Sequence, residues 1–89
     1  MVKKVIDYRI TQRFKKDYKV LPKEIQGSFE KKLILFLEDV NHPSLRVKRL
    51  QGMANRWEGS VTMNYRFTFE LIGTTAVLMT IGTHDILSR

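Results

Sequence analysis

The sequence contains no cysteine. This absence excludes a disulfide-stapled mini-protein, a zinc site with thiolate ligands and a thiol nucleophile. No apolar run approaches the ~18 residues of a membrane-spanning helix, and the amino-terminal residues lack the apolar stretch of a secretory signal peptide. We therefore expect a soluble protein of the cytoplasm.

Acidic residues are scarce. The chain has 16 Lys and Arg against 9 Asp and Glu, a net charge of +7 over 89 residues. This length predicts a single domain over residues 1–89, and 43% hydrophobic content is enough for a small core. Residues 1–56 contain 14 basic and 6 acidic side chains, whereas residues 57–89 contain 2 basic and 3 acidic ones. The asymmetry predicts a polyanion or a strongly acidic protein as partner.

The first half of the chain has the pattern of one strand and two helices. Residues 5–10 end in an alternation typical of a strand, and Thr11 is a plausible helix N-cap before a helix of about two turns. Pro22 suits the start of a second, longer helix that ends near Asp39. Its apolar residues form one helical stripe: Ile25, Phe29, Leu33, Phe36 and Leu37.

The second half changes to a period of two. It predicts four strands, over residues 45–50, 56–62, 65–71 and 76–81, and the apolar last strand suits an inner position in the sheet. The element order is therefore β-α-α-β-β-β-β. We predict an α+β fold, an antiparallel sheet with two N-terminal helices packed on one face.

Candidate catalytic groups are few. There is no Gly-rich phosphate loop, no histidine pair at i, i+4 and no carboxylate cluster with metal-binding spacing, so we expect no metal and no cofactor. Arg66 alternates out of an aromatic strand, and His84 follows the last predicted strand. A hairpin centred near Gly73 pairs residues whose numbers sum to about 147–150, which brings Arg66 close to His84.

Simpler interpretations of these residues stay open. Arg66 could be a surface arginine paired with Glu58 or Glu70, and His84 could be a loop cap. The cations of the 45–50 segment, Arg46, Lys48 and Arg49, could be solvated, although three cations in four residues repel one another unless an anion binds there.

Several sequence blocks, taken together, resemble a known family. They lie at residues 14–19, 41–46, 50–52, 57–59, 65–67 and 81–85, the last reading Ile-Gly-Thr-His-Asp. In this order they are similar to the RelE/ParE superfamily of bacterial toxin–antitoxin toxins, and to its RelE- and YafQ-like branch. The resemblance covers nearly the whole chain and implies the RelE-like fold.

The resemblance also implies an activity, that of a ribosome-dependent mRNA endonuclease (an mRNA interferase) that a cognate antitoxin inhibits. By the same resemblance Arg66 binds the scissile phosphate, His84 donates a proton and Lys48 serves the site. Because RNA supplies its own nucleophile, the 2′-hydroxyl, such a site needs no metal, and Arg66 is suited to hold two phosphate oxygens. The proton acceptor stays open among Glu58, His42 and Lys48.

The remaining basic residues are candidate RNA contacts. We expect Arg46 and Arg49 to bind RNA near the site. On the helices we expect contacts to ribosomal RNA phosphates, unless the charges only solvate the helix faces, from Arg13, Lys15, Lys16, Lys31 and Lys32. Two alternative functions are a ParE-like inhibitor of DNA gyrase without nuclease activity and a plain nucleic-acid-binding module.

Overall fold

The computed structural model describes residues 4–52 and 55–83. Its elements confirm the predicted order and the α+β class. They are β1 (Asp7–Ile10), α1 (Gln12–Lys19), α2 (Lys23–Glu38), a 3-10 turn (Pro43–Leu45), β2 (Lys48–Arg49), β3 (Arg56–Ser60), β4 (Tyr65–Ile72) and β5 (Thr75–Thr83). Within these residues no helix is long and apolar enough to cross a membrane.

The five strands form one sheet in the order β1-β5-β4-β3-β2, so β5 has the predicted inner position. The sheet is mixed, which corrects the prediction of an antiparallel sheet: β1 pairs with β5 in parallel, and the other three pairs are antiparallel. The sequence pattern reports hairpins between consecutive strands. It carries no signal for the direction in which the last strand returns beside the first.

The predicted strand over residues 45–50 is mostly wrong. Leu45 ends a 3-10 turn and is fully buried, and Arg46 has left-handed backbone angles (φ 46°, ψ 44°) that extended chain cannot adopt. His42 Nδ1 accepts a 3.1 Å hydrogen bond from the backbone N–H of Ser44, which caps the turn. Only Lys48 and Arg49 therefore pair with β3.

An aromatic core joins the helices to one face of the sheet. The Phe36 ring centroid lies 5.5 Å from that of Phe67 and 5.0 Å from that of Phe69, both in edge-to-face geometry. From α2, Phe29 also contacts Phe67 at 5.5 Å, and Phe14 of α1 contacts Phe29 at 5.6 Å. Both helices thus cover the Phe67 side of the sheet, as predicted.

A β-bulge interrupts the pairing of β4 with β5. Thr68 pairs with Thr80 but Phe69 pairs with Leu78, so Met79 is the extra residue. On either side of the bulge the predicted hairpin register is confirmed, with Ile72 opposite Thr75 and Arg66 opposite Gly82.

Candidate functional site

The face of the sheet opposite the helices carries polar side chains, and we call it the polar face. Alternation puts Arg56, Glu58 and Ser60 of β3 on this face, opposite Glu70, Thr68 and Arg66 of β4. On the other side of β3, Lys48 of β2 pairs with Glu58. The polar face therefore brings two of the predicted catalytic residues, Lys48 and Arg66, onto one surface with Glu58 between their strands.

The Arg66 side chain is 13% exposed and is held by the turn between β3 and β4. Its Nη1 lies 2.6 Å from the carbonyl oxygen of Thr62, 3.0 Å from that of Met63 and 3.1 Å from that of Tyr65. The Ser60 hydroxyl is 3.4 Å away. These contacts show that Arg66 stabilises the turn, which is a structural role that the sequence pattern did not predict.

Glu58 is the anionic neighbour of Arg66. It is 3% exposed, and its Oε1 lies 3.9 Å from Arg66 Nε. Glu70 instead pairs with Arg56 at 2.8 Å. Of the two partners considered for Arg66, the structure therefore selects Glu58, whose carboxylate is buried while Arg66 is half-buried.

Among the described residues, the polar contacts of Arg66 use Nη1 and Nε. Nη2 makes no polar contact with these residues and is therefore the nitrogen that can donate to a phosphate oxygen. The expected hold on two oxygens would use both protons of Nη2 or displace a turn carbonyl from Nη1.

The three cations of the 45–50 segment do not form one cluster. Arg49 pairs with Trp57, so it lies on the opposite side of the sheet from Lys48. Arg46 is exposed and precedes β2 in its left-handed conformation. Of the three, Lys48 is thus the cation that shares the polar face with Arg66.

His84 lies outside the described residues. The strand that leads to it is described, and it ends with Gly82 paired to Arg66 and Thr83 paired to Tyr65. The predicted register is therefore confirmed up to the residue that precedes His84.

The basic residues of the helices occupy a different surface. Lys15, Lys16 and Lys31 are exposed on helices that cover the other side of the sheet from Arg66. Two more are already engaged within the chain. Arg13 Nε pairs with Asp17 at 3.3 Å, and Lys32 Nζ donates to the Ser44 carbonyl at 3.1 Å. The structure does not bring these residues to the polar face, so their RNA contacts stay a prediction for a second surface.

From the sequence, Glu58 was considered only as a possible proton acceptor or as an ion-pair partner of Arg66, and Ser60 was left out of the site. The signal was present, because both alternate with the buried Gly59 in a strand that pairs with β4. What was missing was the register between the two strands, which sets Ser60 opposite Arg66. Within residues 4–52 and 55–83, no group of three His, Asp or Glu side chains could hold a metal ion.

Proteins of known structure share this fold. No protein-family model and no curated protein matches the sequence. Among solved structures, E. coli YafQ from strain BL21(DE3) is 16% identical, with a TM-score of 0.76 over 93% of this chain and 98% of that one. YafQ in the E. coli DinJ–YafQ toxin–antitoxin complex is 17% identical, with a TM-score of 0.77 over 93% of this chain and 97% of that one.

Two further structures are similar over most of their length. The YoeB/ParE toxin from Agrobacterium tumefaciens is 15% identical, with a TM-score of 0.75 over 88% of this chain and 98% of that one. A chain of the RelB–RelE antitoxin–toxin complex from Methanococcus jannaschii is 19% identical, with a TM-score of 0.75 over 91% and 95%. The chain therefore has the fold shared by the YafQ, RelE and YoeB/ParE toxin structures.

Proposed function

We propose that this chain is the toxin of a type II toxin–antitoxin system and a ribosome-dependent endoribonuclease that cleaves mRNA without a metal ion. One observation carries the proposal. Arg66 and Lys48 share the polar face, and Arg66 is paired with Gly82, which precedes His84 by two residues in the sequence. The similarity in fold to YafQ and RelE structures supports it.

The proposed chemistry is transfer of the phosphate to the neighbouring 2′-oxygen. The 2′-oxygen forms a bond to phosphorus while the bond from phosphorus to the 5′-oxygen breaks, leaving a cyclic phosphate. Arg66 and Lys48 stabilise the negative charge that grows on the non-bridging oxygens. His84 gives its proton to the departing 5′-oxygen, and a base takes the proton of the 2′-hydroxyl.

The proposed regulator is a cognate antitoxin. Solved neighbours include complexes of DinJ with YafQ and of RelB with RelE. A chain of net charge +7 suits an acidic segment that covers Lys48 and Arg66 on the polar face and continues over Arg46 and Arg49 beside it. Such a cover would keep the toxin inactive in the cytoplasm until the antitoxin is removed.

To test this proposal, variants are expressed without antitoxin and mRNA ends are mapped on translating ribosomes. Arg66→Lys should lower the cleavage rate by about 10²–10³, because a lysine cannot reproduce the planar guanidinium. His84→Ala should lower it by about 10²–10⁴ through loss of the proton donor. Arg56→Lys is the matched control, since Arg56 lies on the same face but pairs with Glu70. It should cleave as the wild type does.

The outcomes separate the nuclease from its alternative. Growth arrest and new mRNA ends that vanish together in the Arg66 and His84 variants support the nuclease. Growth arrest that survives both substitutions, without new mRNA ends, would contradict it in favour of a gyrase-type target. Thermal unfolding of each purified variant shows whether a loss of cleavage reflects a loss of fold.

A further inference from the structure

A carboxylate buried on the floor of the polar face has no role in the chemistry above. Glu58 is 3% exposed, and Glu is a residue type that is almost never fully buried unless it is paired. Removing an ionised carboxylate from water costs free energy that a nearby cation must offset. The cation here is Arg66, whose Nε lies 3.9 Å from Glu58 Oε1.

The position of Glu58 complements the turn that holds Arg66. Nη1 is fixed by turn carbonyls, the nearest being that of Thr62 at 2.6 Å. Glu58 attracts the guanidinium from the Nε side. A guanidinium is planar with its N–H groups in a rigid fork, so hydrogen bonds at Nη1 together with an ionic attraction on the Nε side restrict where Nη2 points. Together the turn and Glu58 set the direction in which Nη2 points.

We infer that Glu58 is a positioning residue, whose buried carboxylate orients Arg66 so that Nη2 faces the scissile phosphate. The inference rests on the proposed nuclease function. It also removes Glu58 from the candidate proton acceptors, because a base must come within hydrogen-bonding distance of the 2′-hydroxyl and this carboxylate is buried. Its charge acts on the substrate through Arg66.

The kinetic test replaces the charge and keeps the shape. Glu58→Gln should lower kcat on mRNA-programmed ribosomes about 10- to 100-fold, because a misdirected group loses its transition-state contact. The KM for programmed ribosomes should stay the same or fall, since a negative charge beside the RNA is removed. Glu70→Gln, which breaks the Arg56 pair on the same face, should leave kcat within about twofold.

A double-variant cycle shows whether Glu58 acts through Arg66. In the Arg66→Lys background, Glu58→Gln should lower kcat by less than about twofold, because the group that it orients is already gone. A loss of kcat that is the same in both backgrounds would overturn the inference, since Glu58 would then act independently of Arg66. So would a Glu58→Gln variant with the kcat of the wild type.

A spectroscopic test does not depend on cleavage. The Nε–H resonance of Arg66 in a nitrogen–proton correlation spectrum, assigned by its absence from Arg66→Lys, should shift in Glu58→Gln and stay in place in Glu70→Gln. If Glu58→Gln does not fold, Glu58→Asp withdraws the carboxylate by one methylene and should shift the same resonance. An unmoved resonance overturns the inference. A wild-type protein that does not cleave overturns the proposed function, while the resonance still decides the role of Glu58.

Discussion

Gly59 lies opposite Phe67 and against its ring, with no room for a side chain between them. A Cβ built on Gly59 would meet Cε1 and Cζ of Phe67 at 2.6 Å. Phe67 cannot retreat easily, because it is 1% exposed and its ring contacts Phe29 and Phe36. This contact allows β3 to pass under the aromatic core and to carry Glu58 and Ser60 on its other side.

Gly59→Ala should therefore destabilise the fold by about 1–3 kcal/mol, since overpacking forces the ring or the strand to move. Gly27→Ala is the matched control. A Cβ at Gly27 meets no atom within 4 Å, and the residue lies inside α2, where alanine is favoured by roughly 0.5–1 kcal/mol. Urea unfolding of both variants checks the pair, and a Gly59→Ala variant as stable as the wild type would contradict the close contact.

The Thr11 hydroxyl both caps α1 and links this helix to β5. Its Oγ1 accepts from the Phe14 backbone N–H at 3.0 Å and lies 3.0 Å from the Met79 carbonyl, so it joins α1 to β5. Thr11→Ala should lose about 1–2 kcal/mol of stability, and Thr11→Ser, which retains the hydroxyl, should lose less than half of that. Thermal unfolding measures both, and equal losses would show that the methyl group rather than the hydroxyl matters.

The pKa of Tyr18 predicts an alkaline limit to stability. Burial, followed by the hydrogen bond to Glu30 and the charge of Glu30, raises that pKa from 10.0 to about 12. Between these values the unfolded tyrosine loses its proton while the folded one keeps it, so stability falls as pH rises. Wild-type Tm should fall more steeply across this range than that of Tyr18→Phe. Parallel pH dependences in the two proteins would be inconsistent with the shift.

The exposed lysines of the helices should give ribosome binding its salt dependence. The slope of log K for ribosome binding against log salt concentration is negative. Replacing Lys15, Lys16 and Lys31 together by Gln should make it less steep by about 2–3, near 0.7–0.9 for each lost phosphate contact. Arg13→Gln should change it less, because Arg13 already pairs with Asp17. Co-sedimentation with ribosomes over a range of salt concentrations measures the slope. An unchanged slope returns these lysines to the role of solvated helix faces.

Local periodicity predicted what depends on local forces. The apolar stripe of α2, the Thr11 cap and the alternation that places Arg66 on the polar face are all confirmed. The errors concern features of the backbone and of strand pairing that are determined by contacts outside the local segment. Arg46 breaks an alternating segment because Pro43 and His42 start a turn there, and the parallel pairing of β1 depends on where β5 returns.

The site was predictable to the same extent. Arg66 and Lys48 were predicted for the site from residue type, alternation and resemblance, whereas the position of Glu58 beside Arg66 depends on the register between β3 and β4. Whether a carboxylate is buried or solvated depends on what packs around it in three dimensions. A single sequence carries no direct signal for that.

The parallel pair of β1 and β5 has a consequence for how the chain is made. Asp7 and Thr75 are hydrogen-bonded neighbours although 68 residues separate them in the sequence. Protein synthesis proceeds from the amino terminus, so β1 has no strand to pair with until β5 has emerged from the ribosome. Contacts between such distant parts of the chain form late. The same strand supplies Gly82, the partner of Arg66. A ribosome still translating this chain therefore carries an unfinished sheet, and the polar face is assembled only as β5 is added.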